Sequence, residues 1–453
     1  MLDYQTVRVE GDRAIDLAAL QLYAPVTEGL SVGAGLMGPL VSGQYGGFMG
    51  ASVGYVSARA GLDVVLIDRD QASADKGKAH AKSVIDGLIA KGRAKQEEGD
   101  KIMSRITATA DYAALKECDL VIEAVFEDRK VKADTFTKAQ QYLKPDVIFA
   151  SNTSTLPITS LAESFKDQGR FIGIHFFSPV DKMMLVEIIM GEKTGDRALA
   201  TALDFVRLIK KTPIVVNDTR GFYANRCVGR YIAEGNEMFL EGVPPAMIEN
   251  CAKMAGMPVG PLSLSDEVAL DLGLKVMKAT EADLGPNAVN PDQKKLMVEL
   301  VEKQNRLGRK NGKGFYDYPE KGKGQKSLWP GLADLQPKKL DPDTLSVEEL
   351  KQRFLVVQAV EAARTVEDNV ITDMREADVG SILGFGFAPF TGGTLSYIDF
   401  MGTRKFVDLC HRLEAKYGSR FTPPKLLVDM AAKGETFYGR FPPKKQVAAQ
   451  AAE

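Results

Sequence analysis

The chain has 453 residues, of which 45% are hydrophobic and 26% are charged, and its 58 basic side chains nearly balance its 60 acidic ones. These values are ordinary for a folded globular protein and leave length for two to four domains. The formal net charge of −2 gives no reason to expect a nucleic acid or an anionic membrane as a partner, and three histidines are too few for a histidine-rich metal site.

The cysteines also bear on the compartment. The four cysteines lie far apart in the sequence and form no CxxC pair. They are Cys118, Cys227, Cys251 and Cys410. That spacing is typical of a reducing compartment without a disulfide framework. No apolar run is long enough to cross a membrane, and the acidic amino terminus lacks the hydrophobic core of a signal peptide. We therefore expect a cytoplasmic protein with no membrane span.

Residues 1–43 match no pattern that assigns them to a domain. Within them, residues 33–38 (GAGLMG) form a complete GxGxxG motif of the kind that binds dinucleotide phosphates. The context of this motif is poor, because Pro39 follows it and the glycine-rich residues 40–47 are unsuited to a long helix. The sequence therefore predicts that residues 33–43 form an irregular insertion.

A second glycine motif, residues 45–50 (YGGFMG), lacks the first glycine but has the better context. A helical pattern over residues 51–60 follows it, and then a β-strand pattern that ends at Asp68. A dinucleotide site needs an acidic residue about 20 positions beyond its glycines to bind the ribose hydroxyls, and Asp68 lies 21 residues beyond Gly47. Because the first N–H groups of a helix bind anions, we place the pyrophosphate of a dinucleotide at Gly46, Gly47, Met49 and Gly50.

Two apolar runs further along the chain carry an ionisable pair. His175 lies in residues 171–177 and Glu187 in residues 184–189, and the turn-forming residues 178–182 allow the two strands to lie side by side. Charged groups inside apolar strands are costly unless they satisfy each other. The pair is either a core histidine held by a glutamate or a general base with its carboxylate partner, and by itself it favours neither interpretation.

Several motifs favour the second interpretation. Residues 151–157 (SNTSTLP) follow a strand pattern at its carboxyl end, where α/β sheets bind ligands. Together with residues 173–180 (GIHFFSPV), 185–187 (LVE) and 307–316 (LGRKNGKGFY), they closely resemble the 3-hydroxyacyl-CoA dehydrogenase family. The resemblance covers residues 46–441. It is closest to the dehydrogenase part of the multifunctional fatty-acid oxidation complex alpha subunit, without the enoyl-CoA hydratase domain found there.

The resemblance implies an α/β fold, with a doubly wound Rossmann-type NAD-binding domain followed by two all-helical domains. A stretch rich in glycine, proline and lysine separates the helical blocks and is typical of a linker. The expected organisation is an unassigned segment, the NAD-binding domain, a first helical domain, a linker and a second helical domain, at residues 1–43, 44–220, 221–320, 321–346 and 347–445.

The resemblance also implies the residues of the site. The catalytic residues would be His175 as general base, Glu187 as its partner, and Ser154 and Asn225 as groups that bind the reacting oxygen or the thioester carbonyl. The cofactor would be NAD. In addition to the glycine motif and Asp68, the residues that would bind it are Glu127, Lys132 and Lys310.

The implied reaction is the oxidation of an (S)-3-hydroxyacyl-CoA to the 3-ketoacyl-CoA in fatty-acid β-oxidation. A short-chain 3-hydroxybutyryl-CoA dehydrogenase shares the catalytic residues, but the second helical block favours the longer β-oxidation type. A dehydrogenase of the 6-phosphogluconate type is a further alternative, but that class would use a lysine as its base, and the His–Glu pair argues against it. A catalytically silent binding protein is the alternative from another class, because Tyr45 stands where the family has glycine. The implied partners are the substrate and either a thiolase or hydratase subunit or a second copy of the chain.

Overall fold

The structure is a computed structural model that describes residues 31–37 (backbone only), 49–320 and 323–442. The chain divides into two compact units. Of the described residues, unit 1 comprises 31–37, 49–225, 368–384 and 441–442, and unit 2 comprises 226–320, 323–367 and 385–440. In the described ranges, no helix combines the length and the apolar character needed to cross a membrane.

Eight strands form one sheet in unit 1: β1 (Ser31–Met37), β2 (Asp63–Asp68), β3 (Ile106–Thr109), β4 (Leu120–Glu123), β5 (Ile148–Ser151), β6 (Phe171–Phe176), β7 (Leu185–Met190) and β8 (Thr212–Asn217). Their spatial order is β3-β2-β1-β4-β5-β6-β7-β8. The pairs are parallel except for β6 and β7, which are antiparallel. The strand order reverses between β1 and β4, as in doubly wound dinucleotide-binding folds, so the predicted fold class is confirmed for this domain.

Six helices of unit 1 connect or follow these strands: α1 (Met49–Arg59), α2 (Gln71–Ala90), α3 (Gln96–Ser104), α4 (Arg129–Ala139), α5 (Ile158–Ala162) and α6 (Asp196–Leu208). Helix α1 lies close to β2 because Gly54 has no side chain, and a Cβ there would be 2.8 Å from Cδ2 of Leu66. The apolar faces of α1, α2 and α6 meet one face of the sheet in a continuous core that includes Val53, Ile122 and Phe205. This core fixes the carboxyl ends of the strands, where the site lies.

The prediction that residues 33–43 form an irregular insertion is wrong for residues 33–37. They belong to β1, which pairs with both β2 and β4 in the middle of the sheet. The predicted start of the NAD-binding domain at residue 44 is therefore too late. The register of β1 shifts between Gly33 and Leu36, which is where its glycines lie. Because β1 is paired on both sides, backbone hydrogen bonds to β2 and β4 hold it in the sheet although its glycines have no side chains to pack. Residues 38–48, including Tyr45, lie outside the described residues.

Unit 2 is mainly helical. Its helices are α7 (Ala224–Leu240, which starts in unit 1), α8 (Pro245–Met254), α9 (Pro261–Val268), α10 (Leu270–Leu284), α11 (Pro291–Val298), α12 (Leu332–Leu335), α13 (Val347–Glu367), α15 (Thr394–Met401), α16 (Thr403–Tyr417), α17 (Lys425–Lys433) and α18 (Phe437–Arg440). Helix α14 (Met374–Phe385) belongs to unit 1 except for its last residue.

The segment predicted as a linker is folded in part. Strand β10 (Ser327–Leu328) pairs with β9 (Tyr316–Asp317), and α12 follows it. The amide of Gln336 donates hydrogen bonds to the carbonyl oxygens of Phe239 (3.0 Å) and Val243 (2.8 Å). Residues 323–346 are thus part of unit 2, although their composition is that of a loop.

The two helical blocks repeat one local arrangement. Residues 260–266 (GPLSLSD) and 393–399 (GTLSYID) each begin a helix and place an aspartate in its second turn. Asp266 accepts hydrogen bonds from the N–H groups of Phe315 (2.7 Å) and Tyr316 (2.9 Å). Asp399 accepts the equivalent bonds from a second Phe-Tyr pair, at 2.7 and 3.1 Å, formed by Phe437 and Tyr438. The two helical blocks thus share one local arrangement within unit 2, and their division into two domains stays a prediction.

Candidate active site

A histidine and a glutamate face each other on the antiparallel strands β6 and β7. His175 and Glu187 are direct register partners, and Nδ1 of His175 lies 2.7 Å from Oε2 of Glu187. The two residues are 3% and 0% exposed. The predicted adjacency is confirmed. Among the described residues, Nε2 of His175 has no hydrogen-bond partner, so this nitrogen remains available to a ligand.

The second oxygen of Glu187 is also fixed. Oε1 accepts hydrogen bonds from the N–H groups of Tyr223 (3.1 Å) and Ala224 (2.8 Å), at the start of α7. The positive end of a helix stabilises a carboxylate, and the bonded pair holds the imidazole ring in one orientation. The rings of Phe177 and Phe222 border His175, with centroids 4.5 and 6.0 Å away. The imidazole therefore lies in an apolar surrounding, with one nitrogen anchored.

The loop after β5 brings the two other predicted catalytic residues together. Nδ2 of Asn225 donates a hydrogen bond to the backbone oxygen of Ser154 at 2.8 Å, and both residues are half-buried. Asn152, which sequence reasoning missed, accepts a hydrogen bond from the N–H of Phe176 at 2.8 Å. This bond joins the loop to the residue that follows His175.

Glu127 shapes the same loop. Its Oε1 accepts hydrogen bonds from Oγ1 of Thr153 (2.7 Å) and from the N–H groups of Ser154 (3.0 Å) and Thr155 (2.9 Å). Burial opposes ionisation of Glu127, but the nearby Lys132 charge and these hydrogen bonds outweigh it and hold the pKa of Glu127 below its ordinary value. An ionised Glu127 thus fixes the backbone of the loop, and its predicted contact with a cofactor stays a prediction.

Lys132 lies beneath this loop as part of a buried ion pair. Its side chain is 1% exposed, and Nζ is 2.8 Å from Oε1 of Glu123 and 3.4 Å from Oε2 of Glu127. Burial acts to lower the pKa of Lys132, but the charges of Glu123 and Glu127 outweigh it and raise that pKa above its ordinary value. Sequence reasoning missed Glu123, although a glutamate at the end of an apolar strand pattern was the available signal. The predicted contact of Lys132 with a cofactor remains a prediction.

Asp68 lies at the carboxyl end of β2, beside Met37 of β1, and is 3% exposed. Its Oδ1 accepts a hydrogen bond from the N–H of Arg69 at 2.7 Å, and no other described residue donates to it. Burial raises the pKa of Asp68 to about 6. A buried carboxylate with an unused oxygen at this edge fits the ribose hydroxyls of a dinucleotide.

The other predicted cofactor residues are placed only in part. Met49 and Gly50 are the first residues of α1, which begins two residues before the predicted helix over residues 51–60, whereas Gly46 and Gly47 lie outside the described residues. Lys310 belongs to unit 2, where Nζ is 2.5 Å from Oδ1 of Asp271. Its role in cofactor binding stays a prediction.

The doubly wound sheet and the buried acid at the end of β2 are typical of dinucleotide-binding folds, and a His–Glu pair lies near the carboxyl edge of this sheet. Residues 32–219 match the family described as 3-hydroxyacyl-CoA dehydrogenase, NAD binding domain, and residues 221–318 match the C-terminal domain of that enzyme. The chain belongs to the 3-hydroxyacyl-CoA dehydrogenase family and is an NAD-dependent oxidoreductase. The resemblance and the cofactor predicted from the sequence are confirmed.

Three solved structures illustrate the range of similar proteins. An (S)-3-hydroxybutyryl-CoA dehydrogenase from Ralstonia eutropha is 34% identical, with a TM-score of 0.58, over 64% of this chain and 99% of that one. The dehydrogenase part of multifunctional enzyme 1 from C. elegans is 26% identical, with a TM-score of 0.61, over 88% of this chain and 89% of that one. A 3-hydroxybutyryl-CoA dehydrogenase from Escherichia coli shares the fold at 22% identity, with a TM-score of 0.74, over 89% of this chain and 98% of that one.

Proposed function

We propose that the protein oxidises (S)-3-hydroxyacyl-CoA to 3-ketoacyl-CoA in fatty-acid β-oxidation and that His175 and Glu187 act as its general-base dyad. The observation that carries this proposal is the 2.7 Å contact between Nδ1 of His175 and Glu187, because it leaves Nε2 as the free acceptor. NAD, when bound, would supply the hydride acceptor for the oxidation at C3 of the substrate. Nε2 of His175 takes the proton of the C3 hydroxyl group, and Glu187 stabilises the imidazolium that forms.

Glu187 suits this task because its own charge is satisfied on both oxygens. Oε2 contacts the imidazole, and Oε1 is held by two N–H groups at the start of α7. A carboxylate held in this way does not need to reorganise when positive charge develops on His175. Such pre-organised polar groups account for a large share of enzymatic rate enhancement.

Ser154 and Asn225 supply donors beside the dyad. Asn225 uses one N–H on the backbone oxygen of Ser154 and keeps a second, and the hydroxyl group of Ser154 is not engaged by any described residue. We assign these donors to the reacting oxygen or to the thioester carbonyl, which fixes C3 relative to His175. Loss of one such donor typically costs about 10²–10³-fold in kcat.

The experiment that tests the proposed function follows NADH absorbance during the reduction of acetoacetyl-CoA. Turnover that depends on both NADH and the thioester supports the dehydrogenase. Binding of NADH without turnover of any 3-ketoacyl-CoA would support the catalytically silent alternative.

A second candidate function, that of a short-chain 3-hydroxybutyryl-CoA dehydrogenase, is favoured by one comparison. The Ralstonia eutropha protein, named for 3-hydroxybutyryl-CoA, is matched over 99% of its length at 34% identity. A preference for the four-carbon substrate would therefore make this chain a short-chain enzyme with the same dyad. The two are separated by comparing kcat/KM for 3-hydroxybutyryl-CoA and 3-hydroxydecanoyl-CoA.

Cofactor choice gives one prediction. The carboxylate of Asp68 would accept hydrogen bonds from the adenosine ribose and repel a 2′-phosphate, whereas the neighbouring Arg69 is already paired with Asp70 at 3.0 Å. We expect kcat/KM with NADH to exceed that with NADPH by at least about 100-fold, because NADPH would bring its 2′-phosphate against the carboxylate of Asp68 and leave that carboxylate without a hydrogen-bond donor. Asp68→Asn should reduce this preference, and equal use of both cofactors by the wild-type protein would remove Asp68 from the site.

The pH dependence of cofactor binding gives another prediction. Because burial raises the pKa of Asp68 to about 6, its carboxylate is ionised above that pH and becomes protonated as the pH falls below it. The ionised form is the better acceptor for ribose hydroxyls, so the affinity for NADH should rise as the pH passes upward through about 6. NADH fluorescence titrations between pH 5 and pH 8, about one unit below and two above this value, measure the effect. Asp68→Asn should flatten the profile, and an unchanged profile in that variant would contradict the assignment.

A further inference from the structure

A cavity of about 450 Å³ lies in unit 1 between α1, α2, α3 and the end of α6. None of the predicted catalytic or cofactor-binding residues lines it. Its volume falls within the range of about 300–1,000 Å³ that is typical of small-molecule sites. Much of the lining is aliphatic, from Val56, Ile85, Leu88, Ile102 and Ile209. The cavity can therefore accept an apolar group.

One polar atom in the lining lacks a partner. Tyr55 is 1% exposed, and its hydroxyl oxygen makes no hydrogen bond with the described part of the protein. An unsatisfied buried hydroxyl group destabilises the folded protein, so a partner supplied by a ligand would be favourable. Arg59, one helical turn further along α1, lies with its guanidinium carbon 5.5 Å from the centre of the Tyr55 ring. Because both residues line the cavity, a polar end of a ligand can meet a hydroxyl group and a cation there.

The charged residues of the lining are mostly positive. Arg59, Arg93 and Lys210 are exposed, and none of them forms an ion pair with a described residue. The one acidic residue in the lining is Glu98. Arginine binds carboxylates and phosphates with two parallel hydrogen bonds, so this rim is suited to an anionic group.

A buried lysine adds to the positive charge. Nζ of Lys211 donates hydrogen bonds to the backbone oxygens of Val180 (2.5 Å) and Met183 (2.6 Å). Burial, followed by the nearby charge of Arg59, lowers the pKa of Lys211, and the negative charge of Asp181 only partly opposes this. An anion at the rim would relieve the repulsion between these two cations.

We propose that this cavity binds an amphiphilic anion, with its aliphatic chain in the apolar lining and its carboxylate or phosphate headgroup held by Arg59, Arg93 and Lys210. The hydroxyl group of Tyr55 forms a hydrogen bond with the same headgroup. This binding site is additional to the dehydrogenase site, and the inference does not depend on the proposed reaction.

The test is isothermal titration calorimetry on the full chain with four probes: decanoate, decyl phosphate, 1-decanol and inorganic phosphate. Decanoate and decyl phosphate should both bind, and the tighter of the two identifies the headgroup. Decanol should bind at least about tenfold more weakly than decanoate, because it lacks the charge. Inorganic phosphate should likewise bind at least about tenfold more weakly than decyl phosphate, because it lacks the aliphatic chain. Saturating acetoacetyl-CoA should not displace decanoate.

Charge variants locate the binding. Arg59→Gln combined with Arg93→Gln should weaken decanoate binding by at least about tenfold, the loss expected for a charge-assisted hydrogen bond. Tyr55→Phe should weaken it several-fold. The matched control is Lys91→Gln combined with Lys101→Gln, which removes two charges outside the lining and should change nothing. Circular dichroism checks folding, and Lys210→Gln replaces the double variant if that protein does not fold.

Several results would overturn the proposal. The proposal is wrong if decanol binds as tightly as decanoate, or if the variant that lacks Arg59 and Arg93 keeps wild-type affinity for decanoate. It is also wrong if acetoacetyl-CoA displaces decanoate, or if neither decanoate nor decyl phosphate binds at millimolar concentration.

Discussion

Replacing His175 by glutamine should lower kcat for the reduction of acetoacetyl-CoA by about 10²–10⁴-fold, the usual contribution of general acid–base catalysis. Glutamine keeps a polar group of similar size but cannot exchange a proton at the position of Nε2. The affinity for NADH, measured by fluorescence, should remain that of the wild-type protein, because His175 lies on β6 and not on the predicted cofactor-binding elements. Glu187→Gln should also reduce kcat, since a neutral amide cannot stabilise an imidazolium.

A matched control exists in unit 2. His411 lies 3.2 Å from Glu414 in an exposed His–Glu pair on α16. His411→Gln removes the same atoms from a similar pair and should leave kcat unchanged. Near wild-type turnover by either His175→Gln or Glu187→Gln would show that the dyad does not act as assigned.

Removing Glu123 should cause the largest loss of stability among single changes in unit 1. Its carboxylate accepts hydrogen bonds from Nζ of Lys132 (2.8 Å) and Oγ of Ser151 (2.6 Å), and all three residues are buried. Glu123→Ala leaves the ammonium group of Lys132 without its main partner, and breaking a buried pair in this way costs about 3–5 kcal/mol. Differential scanning calorimetry should show a clearly lower transition temperature.

Two further variants separate the charge effect from the loss of packing. Glu123→Leu combined with Lys132→Met removes both charges and should recover much of the stability, because a buried pair replaced by apolar residues is often neutral. Asp86→Ala breaks an exposed pair with Lys82 on α2 and should have little effect. A transition temperature for Glu123→Ala equal to that of Asp86→Ala would mean that the buried pair is not important for stability.

The sequence was sufficient to predict that His175 and Glu187 lie side by side, because the register of their strands is dictated by the hydrophobic pattern. Two apolar runs joined by a short turn must pair antiparallel, and His175 and Glu187 can then avoid the cost of burial only by facing each other. Asp68 was found from its position at the end of a strand pattern, 21 residues beyond Gly47. The predicted meeting of Ser154 and Asn225 came from the family resemblance, because 71 residues separate them and no local pattern connects them.

Other features could not be predicted in this way. Strand β1 was missed because Pro39 and the glycine-rich residues that follow suggested an irregular insertion, whereas the place of this strand is decided by its neighbours β2 and β4. Asn152 and Glu123 were missed because their roles consist of hydrogen bonds to groups that are distant in sequence, at Phe176, Ser151 and Lys132. The repeat of residues 260–266 at 393–399 was visible in the letters, but its meaning depends on the backbone N–H groups that each aspartate binds.

The ionised state of Glu127 has a consequence for exposure to acid. Its pKa is held below the ordinary value, so the loop of Thr153 and Ser154 keeps its anchor until the pH falls well below the range in which Asp68, with a pKa of about 6, is neutralised. Mild acid should therefore lower the affinity for the dinucleotide first, while the loop of Thr153 and Ser154 keeps its conformation. Inactivation near pH 5, about one unit below that pKa, should then be reversed at once by neutralisation, without a refolding lag.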